Sequence, residues 1–316
     1  GASKYRVYYY NGTNGNWVKL TETTGTSYTY KAKEGSTYYY TVKAFSGNTY
    51  WSSYRKDVTF TRLTEPDFTL SNYTAGVQVS WDAVEGATKY RVYRRTSTLD
   101  EWLRLTETAE KIYTDTTAVA GTTYYYTVKA FGADDSYSTY RKDETIKRLT
   151  RPEFTLANSS TGVQVNWEKV SGATKYRVYR KTSATGSWTQ LTETTGSSYT
   201  DKTAKMGTMY YYTVRAFSGS TYSSYRTDQT IVRLAEPDFT LSNYTAGVKI
   251  SWDAVEGATK YRVYRRTSTS AEWLRLTETS ETTYTDTTAV AGTTYYYTVK
   301  AFGADNSCST YRKDET

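Results

Sequence analysis

The chain is 316 residues long with a net charge of +8, 36 tyrosines, three prolines, one cysteine and no histidine. Without histidine it can build no Ser-His-Asp or Cys-His catalytic pair and no His-based zinc site, and the lone Cys308 makes neither an internal disulfide nor a thiolate cluster. No run of 18 apolar residues predicts a helical membrane span, and +8 spread over four repeat copies, about two per copy, is too thin for a nucleic-acid footprint, although it suits weak attraction to acidic surfaces.

The first predicted strand carries the string Tyr-Arg-Val-Tyr from Tyr5, and this string returns at Tyr90, Tyr176 and Tyr261, at steps of 85, 86 and 85. Tyr-Tyr-Tyr-Thr-Val begins at Tyr38, Tyr124, Tyr210 and Tyr295, while Pro66, Pro152 and Pro237 and Trp81, Trp167 and Trp252 keep the same step. A fixed period of this size marks a tandem array. Residues 63–145 also align without gaps on 234–316 with ten differences in 83 positions, and copies one and three share Ala-Phe-Ser-Gly after the triple tyrosine. The array thus alternates with a two-copy period of 171 residues. The expected divisions are 1–62, 63–149, 150–234 and 235–316.

Copy one begins at Gly1-Ala2-Ser3-Lys4-Tyr5, matching Gly86 to Tyr90 of copy two, and so lacks the first two strands of the unit. The opening residues show no signal-peptide pattern. These edges predict a window on a longer array. Within copy two the period is 2. Val77, Val79 and Trp81 alternate with Gln78 and Ser80, Tyr90 and Val92 with Arg91 and Tyr93, and Tyr124, Tyr126, Val128 and Ala130 with Tyr125, Thr127 and Lys129. Successive strand residues face opposite sides, so each run offers one apolar face to a core. Turn signals at Gly76, Gly86 and Gly121 separate about seven short strands per copy, the count of a β-sandwich.

Three of these runs resemble the fibronectin type III family: Val77-Gln78-Val79-Ser80-Trp81 its second strand, Lys89-Tyr90-Arg91-Val92-Tyr93-Arg94 its third, and Gly121 to Ala130 its sixth. The wording of the repeats is similar to fibronectin-like arrays on large surface proteins of Gram-positive bacteria. The resemblance implies an all-β tandem array of seven-stranded immunoglobulin-like sandwiches. It further implies corner tyrosines at Tyr38, Tyr124, Tyr210 and Tyr295, whose hydroxyls would bond nearby backbone.

Three residue sets are candidates for function. The outward face of the third and sixth strands carries Arg91, Tyr93, Tyr125 and Lys129. The same set recurs as Arg6, Tyr8, Tyr39 and Lys43, as Arg177, Tyr179, Tyr211 and Arg215, and as Arg262, Tyr264, Tyr296 and Lys300. Pointing to solvent, it reads either as a repeating interaction surface, since Tyr and Arg favour interfaces, or as cross-strand contacts that stabilise an exposed sheet. Trp17, Trp102, Trp188 and Trp273 on the fourth strand either stack on a sugar or cover the sandwich edge with the N–H in water. Asp115, Asp201, Asp286, Asp134, Asp135 and Asp305 read as turn residues bonding their own backbone. Copy one has Tyr30 where copies two to four have Asp115, Asp201 and Asp286, which argues against calcium.

No cofactor and no metal are expected, and catalysis is not. Copy two ends near Leu149 and copy three's first strand is under way by Phe154, which leaves a linker stiffened by Pro152. Four sandwiches of about 30–35 Å then predict a semi-rigid rod of roughly 130 Å. The expected role is a structural stalk or filament segment of an extracellular or cell-surface bacterial protein. The alternatives are adhesin-type recognition of a glycan or protein, and a spacer for an enzyme domain elsewhere. The partner is another copy, a cell-surface polymer, or a host glycan or protein.

Overall fold

The computed structural model describes every residue except 11, 13–15, 51–57, 141–142, 226–227 and 312–316. The chain divides into two compact units, Gly1–Arg148 and Leu149–Thr316, each holding two copies of the repeat. All regular structure among the described residues is β.

Copy one contains β1 (Lys4–Tyr10), β2 (Val18–Thr23), β3 (Thr37–Ser46), β4 (Thr49–Tyr50) and β5 (Val58–Thr61). These form one sheet in the order β2-β1-β3-β4, with β5 also on β3. Copy two is complete. One layer is β10 (Ile112–Asp115), β7 (Val77–Trp81) and β6 (Phe68–Asn72); the other is β12 (Glu144–Lys147), β11 (Thr123–Phe131), β8 (Lys89–Arg95) and β9 (Leu103–Thr108). Three strands against four, all antiparallel, is the fibronectin type III arrangement of an immunoglobulin-like sandwich.

Copy three repeats it with β13 (Phe154–Ser159), β14 (Gly162–Trp167) and β17 (Ser198–Asp201) facing β15 (Lys175–Lys181), β16 (Thr189–Thr194), β18 (Met209–Ser218), β19 (Thr221–Tyr222) and β20 (Gln229–Val232). Copy four has β21 (Phe239–Tyr244), β22 (Gly247–Trp252) and β25 (Thr283–Asp286) facing β23 (Lys260–Arg266), β24 (Leu274–Thr279) and β26 (Tyr296–Phe302).

The predicted period-2 stripes become the cores. In copy two Val77, Val79, Trp81, Tyr90, Val92, Tyr124, Tyr126 and Val128 all lie inside, closed by Leu63, Phe68 and Ile146. The expected corner tyrosines are present: the hydroxyls of Tyr38, Tyr124, Tyr210 and Tyr295 accept the backbone N–H of Lys33, Val119, Lys205 and Val290 at 3.0–3.3 Å. A second tyrosine does the same at the other end of the sandwich. Tyr90, Tyr176 and Tyr261 accept from Val84, Val170 and Val255 at 2.7–2.9 Å, each satisfying a loop N–H that the core would otherwise strand.

Two expectations need correction. Leu149, assigned by the repeat count to the end of copy two, is fully buried in the core of copy three with Phe154 and Trp167. Trp102, Trp188 and Trp273 precede β9, β16 and β24 rather than lying in them.

Candidate functional site

The β8–β11 register sets Arg91 opposite Lys129, Tyr93 opposite Thr127 and Arg95 opposite Tyr125, all on the outer face. After β11 the chain turns and brings Tyr137 and Tyr140 back over that face. Lys129 Nζ sits 4.4 Å from the Tyr137 ring centre and 3.7 Å from that of Tyr140. Tyr140 lies parallel to Trp102 within 11°, at 6.5 Å between centres. Arg95 covers Trp102 at 4.3 Å and approaches Tyr125 at 5.7 Å. The sequence of groups is therefore ring, cation, ring, ring, cation, ring, a ladder of cation–π contacts. Tyr93 meets Tyr140 edge-on at 6.0 Å. Beside the ladder, Arg91 lies 4.2 Å from the Phe131 ring and pairs with Glu107.

Copy three repeats the ladder with Tyr222, Arg215, Tyr225, Trp188, Lys181 and Tyr211, with Tyr179 edge-on to Tyr225. Arg177 covers Phe217 and pairs with Glu193. Copy four has Lys300, Tyr311, Trp273, Arg266 and Tyr296, with Tyr264 edge-on to Tyr311 and Arg262 over Phe302. Its outermost ring is missing, because Cys308 stands where copy two has Tyr137. In copy one Arg6 covers Phe45 and pairs with Glu22, and Tyr10 packs on Trp17 and Tyr39. Lys43 stands opposite Arg6, and Tyr8 opposite Thr41. Tyr54, the counterpart of Tyr140, lies outside the described residues.

The predicted face is thus assembled, but it is half-buried rather than free in solvent, and its cations are already engaged. Burial, then the neighbouring Arg91, pulls the Lys129 pKa down. In copy one Lys4 and Arg6 hold Glu22 down to about 2. The central ring (Tyr140, Tyr225, Tyr311) and the cation on Trp (Arg95, Lys181, Arg266) join the predicted face only in the structure. The ring lies across a turn from its strand, so strand alternation says nothing about it; only its fixed offset from the triple tyrosine carried a signal.

The acidic set splits. Asp115 is fully buried at the end of β10. One oxygen makes the expected turn bonds, accepting Thr117 N–H at 3.0 Å and its hydroxyl at 2.7 Å. The other accepts Arg94 at 2.6 Å and the Tyr126 hydroxyl at 2.7 Å, tying both layers together. Burial pushes the Asp115 pKa up, but the Tyr126, Thr117 and Arg94 bonds outweigh it and hold the carboxyl below its usual range. Asp201 with Arg180 and Tyr212, and Asp286 with Arg265 and Tyr297, repeat this triad. With both oxygens taken, these aspartates offer a metal nothing. In copy one Tyr9 replaces the arginine and Tyr30 the aspartate, and the two rings stack at 5.2 Å.

No protein-family model matches the chain. It is 30% identical over 285 residues to exoglucanase B of Cellulomonas fimi, across 75% of this chain and 24% of that protein's length. Among solved structures it is similar to the FN1–FN3 domains of chicken CNTN1, at 14% identity and a TM-score of 0.29, over 80% of this chain and 97% of that one.

Proposed function

We propose that the chain is a non-catalytic spacer segment of an extracellular bacterial protein, a semi-rigid stalk that holds other domains apart. One observation carries the reading: on the outer Tyr/Arg faces, the best candidates for a binding surface, the cations are engaged by their own cation–π and ion-pair contacts in copies two, three and four. A face whose cations and rings satisfy each other stiffens a domain and leaves little for a ligand. Similarity to about a quarter of a longer exoglucanase supports the same reading, in which such domains separate a catalytic part from something else. The absence of histidine removes the commonest routes to catalysis in the chain itself.

Small-angle scattering of the chain tests the stalk. The expected maximum dimension is on the order of 130 Å, from four copies in line, and a compact particle of half that length overturns it. Glycan recognition is the competing reading, since the Tyr140, Tyr225 and Tyr311 rings keep close to half their surface in solvent. Retention on cellulose or cell-wall polysaccharide that disappears when these three tyrosines become alanine would decide for it; the spacer reading expects no retention at all.

A further inference from the structure

The two ends of a copy are not equivalent, and their chemistry follows the 171-residue period rather than the single repeat. In the first unit Thr61, at the end of β5, donates its hydroxyl to Asp134 of copy two at 3.1 Å. Within copy two, Thr139 donates to Glu65 near the start of that copy. Beside the Thr61 bond the two copies come close. Gly35 has φ +73° and faces the stem of Glu85, so that a Cβ there would fall 2.4 Å from Glu85 Cγ.

The second unit builds the same junction independently. Val232 N–H, at the end of β20, donates to Asp305 at 3.0 Å and lies 3.2 Å from the Ser307 hydroxyl. Within copy four, Thr310 donates to Glu236, as Thr139 does to Glu65 in copy two. Gly207, with φ +69°, meets Glu256 at the same 2.4 Å. Asp134 and Asp305 are held for this task by their own turns. The first oxygen of each accepts Ser136 or Ser307, the following residue, Asp135 or Asn306, takes φ of 58° or 63°, and the second oxygen is left aimed at the preceding copy.

Copies two and four differ at ten of 83 aligned positions, and among these junction residues only the left-handed turn position changes, Asp135 to Asn306. At the corresponding positions where copy two ends and copy three begins, the sequence reads differently. Lys147 replaces Thr61 and Val232, Arg151 replaces Glu65 and Glu236, Ser171 replaces Glu85 and Glu256, and Ser218-Gly219-Ser220 replaces the acidic turn with one residue fewer and no carboxylate.

We infer that the end of each odd-numbered copy is a docking surface built for the even-numbered copy that follows it, so that the folded building block is the two-copy pair rather than the single sandwich. The pairing element is the Asp-x-Ser turn together with the Glu-Gly loop, and the acceptor is the glycine turn with the Thr61 or Val232 strand end. This reading does not depend on the spacer role: it concerns how copies dock, whatever the array carries.

Hydrogen exchange by mass spectrometry on the full chain tests it. Asp305→Asn keeps the oxygen that holds Ser307 but turns a donor toward Val232 N–H. Exchange in residues 229–234 should rise about tenfold or more, the loss expected for a hydrogen bond to a charged acceptor, while the β18, β23 and β26 cores stay protected. Asp134→Asn should leave the first junction closed, because the Thr61 hydroxyl can accept from the new amide as readily as it donated. Asp305→Asn with Ser307→Ala should open the second junction further. Unchanged exchange at 229–234 in both Asp305 variants overturns the inference. So does an equal rise throughout the copy-four core, or an Asp134→Asn variant that loosens its junction as much as Asp305→Asn does.

Discussion

The buried Asp115–Arg94–Tyr126 triad shows how much one position can carry. A carboxylate with no solvent exposure is tolerable only because every lone pair is used. Removing it strands the Arg94 guanidinium and the Tyr126 hydroxyl, so Asp115→Ala should destabilise copy two by about 3–5 kcal/mol, read as a lower urea midpoint for exchange of the β7 and β11 peptides. Copy one indicates the remedy. Its Tyr9–Tyr30 stack fills the same two positions with no charge, and burial pushes the nearby Tyr40 hydroxyl, the counterpart of Tyr126, up to about 12. The double variant Arg94→Tyr with Asp115→Tyr should therefore be milder than either single change, as expected when a buried ion pair is replaced whole. The pH dependence follows from the lowered pKa of Asp115, Asp201 and Asp286. A carboxyl lowered in the fold contributes its full stabilisation above the unfolded value of about 3.9, and loses it as pH falls through the folded value. Copies two to four should thus loosen on acidification below about pH 4, and the three Asp→Asn changes should flatten that dependence in an acid titration followed by tryptophan fluorescence.

At the level of strands, the ladder explains why the outer face of β11 is nearly as buried as the inner one: Thr127 has no solvent exposure although it points away from the core. Copy four supplies a natural deletion. Cys308 leaves Lys300 without the second ring that Lys129 finds in Tyr137. Cys308→Tyr should restore that ring and stabilise copy four by about 0.5–1 kcal/mol, seen as a higher thermal midpoint for its exchange-resistant segments; a lower midpoint would mean that the site cannot accept a ring. Tyr140→Ala acts in the opposite direction. It removes the contacts to Lys129, Trp102 and Tyr93 together and should cost copy two about 1–2 kcal/mol. These elements also mark the limit of what the sequence reveals. Alternation of Val77, Val79 and Trp81, or of Tyr90 and Val92, reads directly as a buried stripe because neighbouring strand residues must face opposite ways. The same rule calls Tyr125 and Lys129 solvent-facing and stops there. What covers them comes from Tyr140 and Trp102, side chains on segments outside β8 and β11, and strand periodicity carries no information across a turn. Asp115 shows the same limit: its turn bonds are local and legible, while its bonds to Arg94 and Tyr126 join strands that only the tertiary fold brings together.

For the molecule as a whole, the comparison among its own copies separates what a sequence motif specifies from what a closed sandwich enforces. Copies one and two share the Tyr-Arg-Val-Tyr and Tyr-Tyr-Tyr-Thr-Val runs, and those runs pair in the same register. In copy two the β6–β7 hairpin and β10 close over them, and Val128 is fully buried. Among the described residues of copy one in this 316-residue chain no strands pair into such a layer, and its counterpart Val42 is 46% exposed. Grooves of about 330 and 410 Å³ run along that face, lined by Val7, Tyr28, Val42, Val58 and Phe60. Identical strand sequences therefore carry very different energetic weight. A charge at Val128 has to be buried among Val79, Val92 and Tyr126, at a cost that exceeds the stability of a single small domain once packing loss is added. A charge at Val42 stays in water. Val128→Lys should unfold copy two, exposing the β8 and β11 amides to rapid exchange, whereas Val42→Lys should leave the β1–β3 amides as protected as before. The contrast vanishes if a Phe-x-Leu and Val-x-Val-x-Trp hairpin is supplied to copy one. With a peptide of residues 67–82 bound to that face, Val42→Lys should weaken the binding at least tenfold, which makes the pair of substitutions a direct measure of how far the second layer, rather than the strand sequence, creates the core.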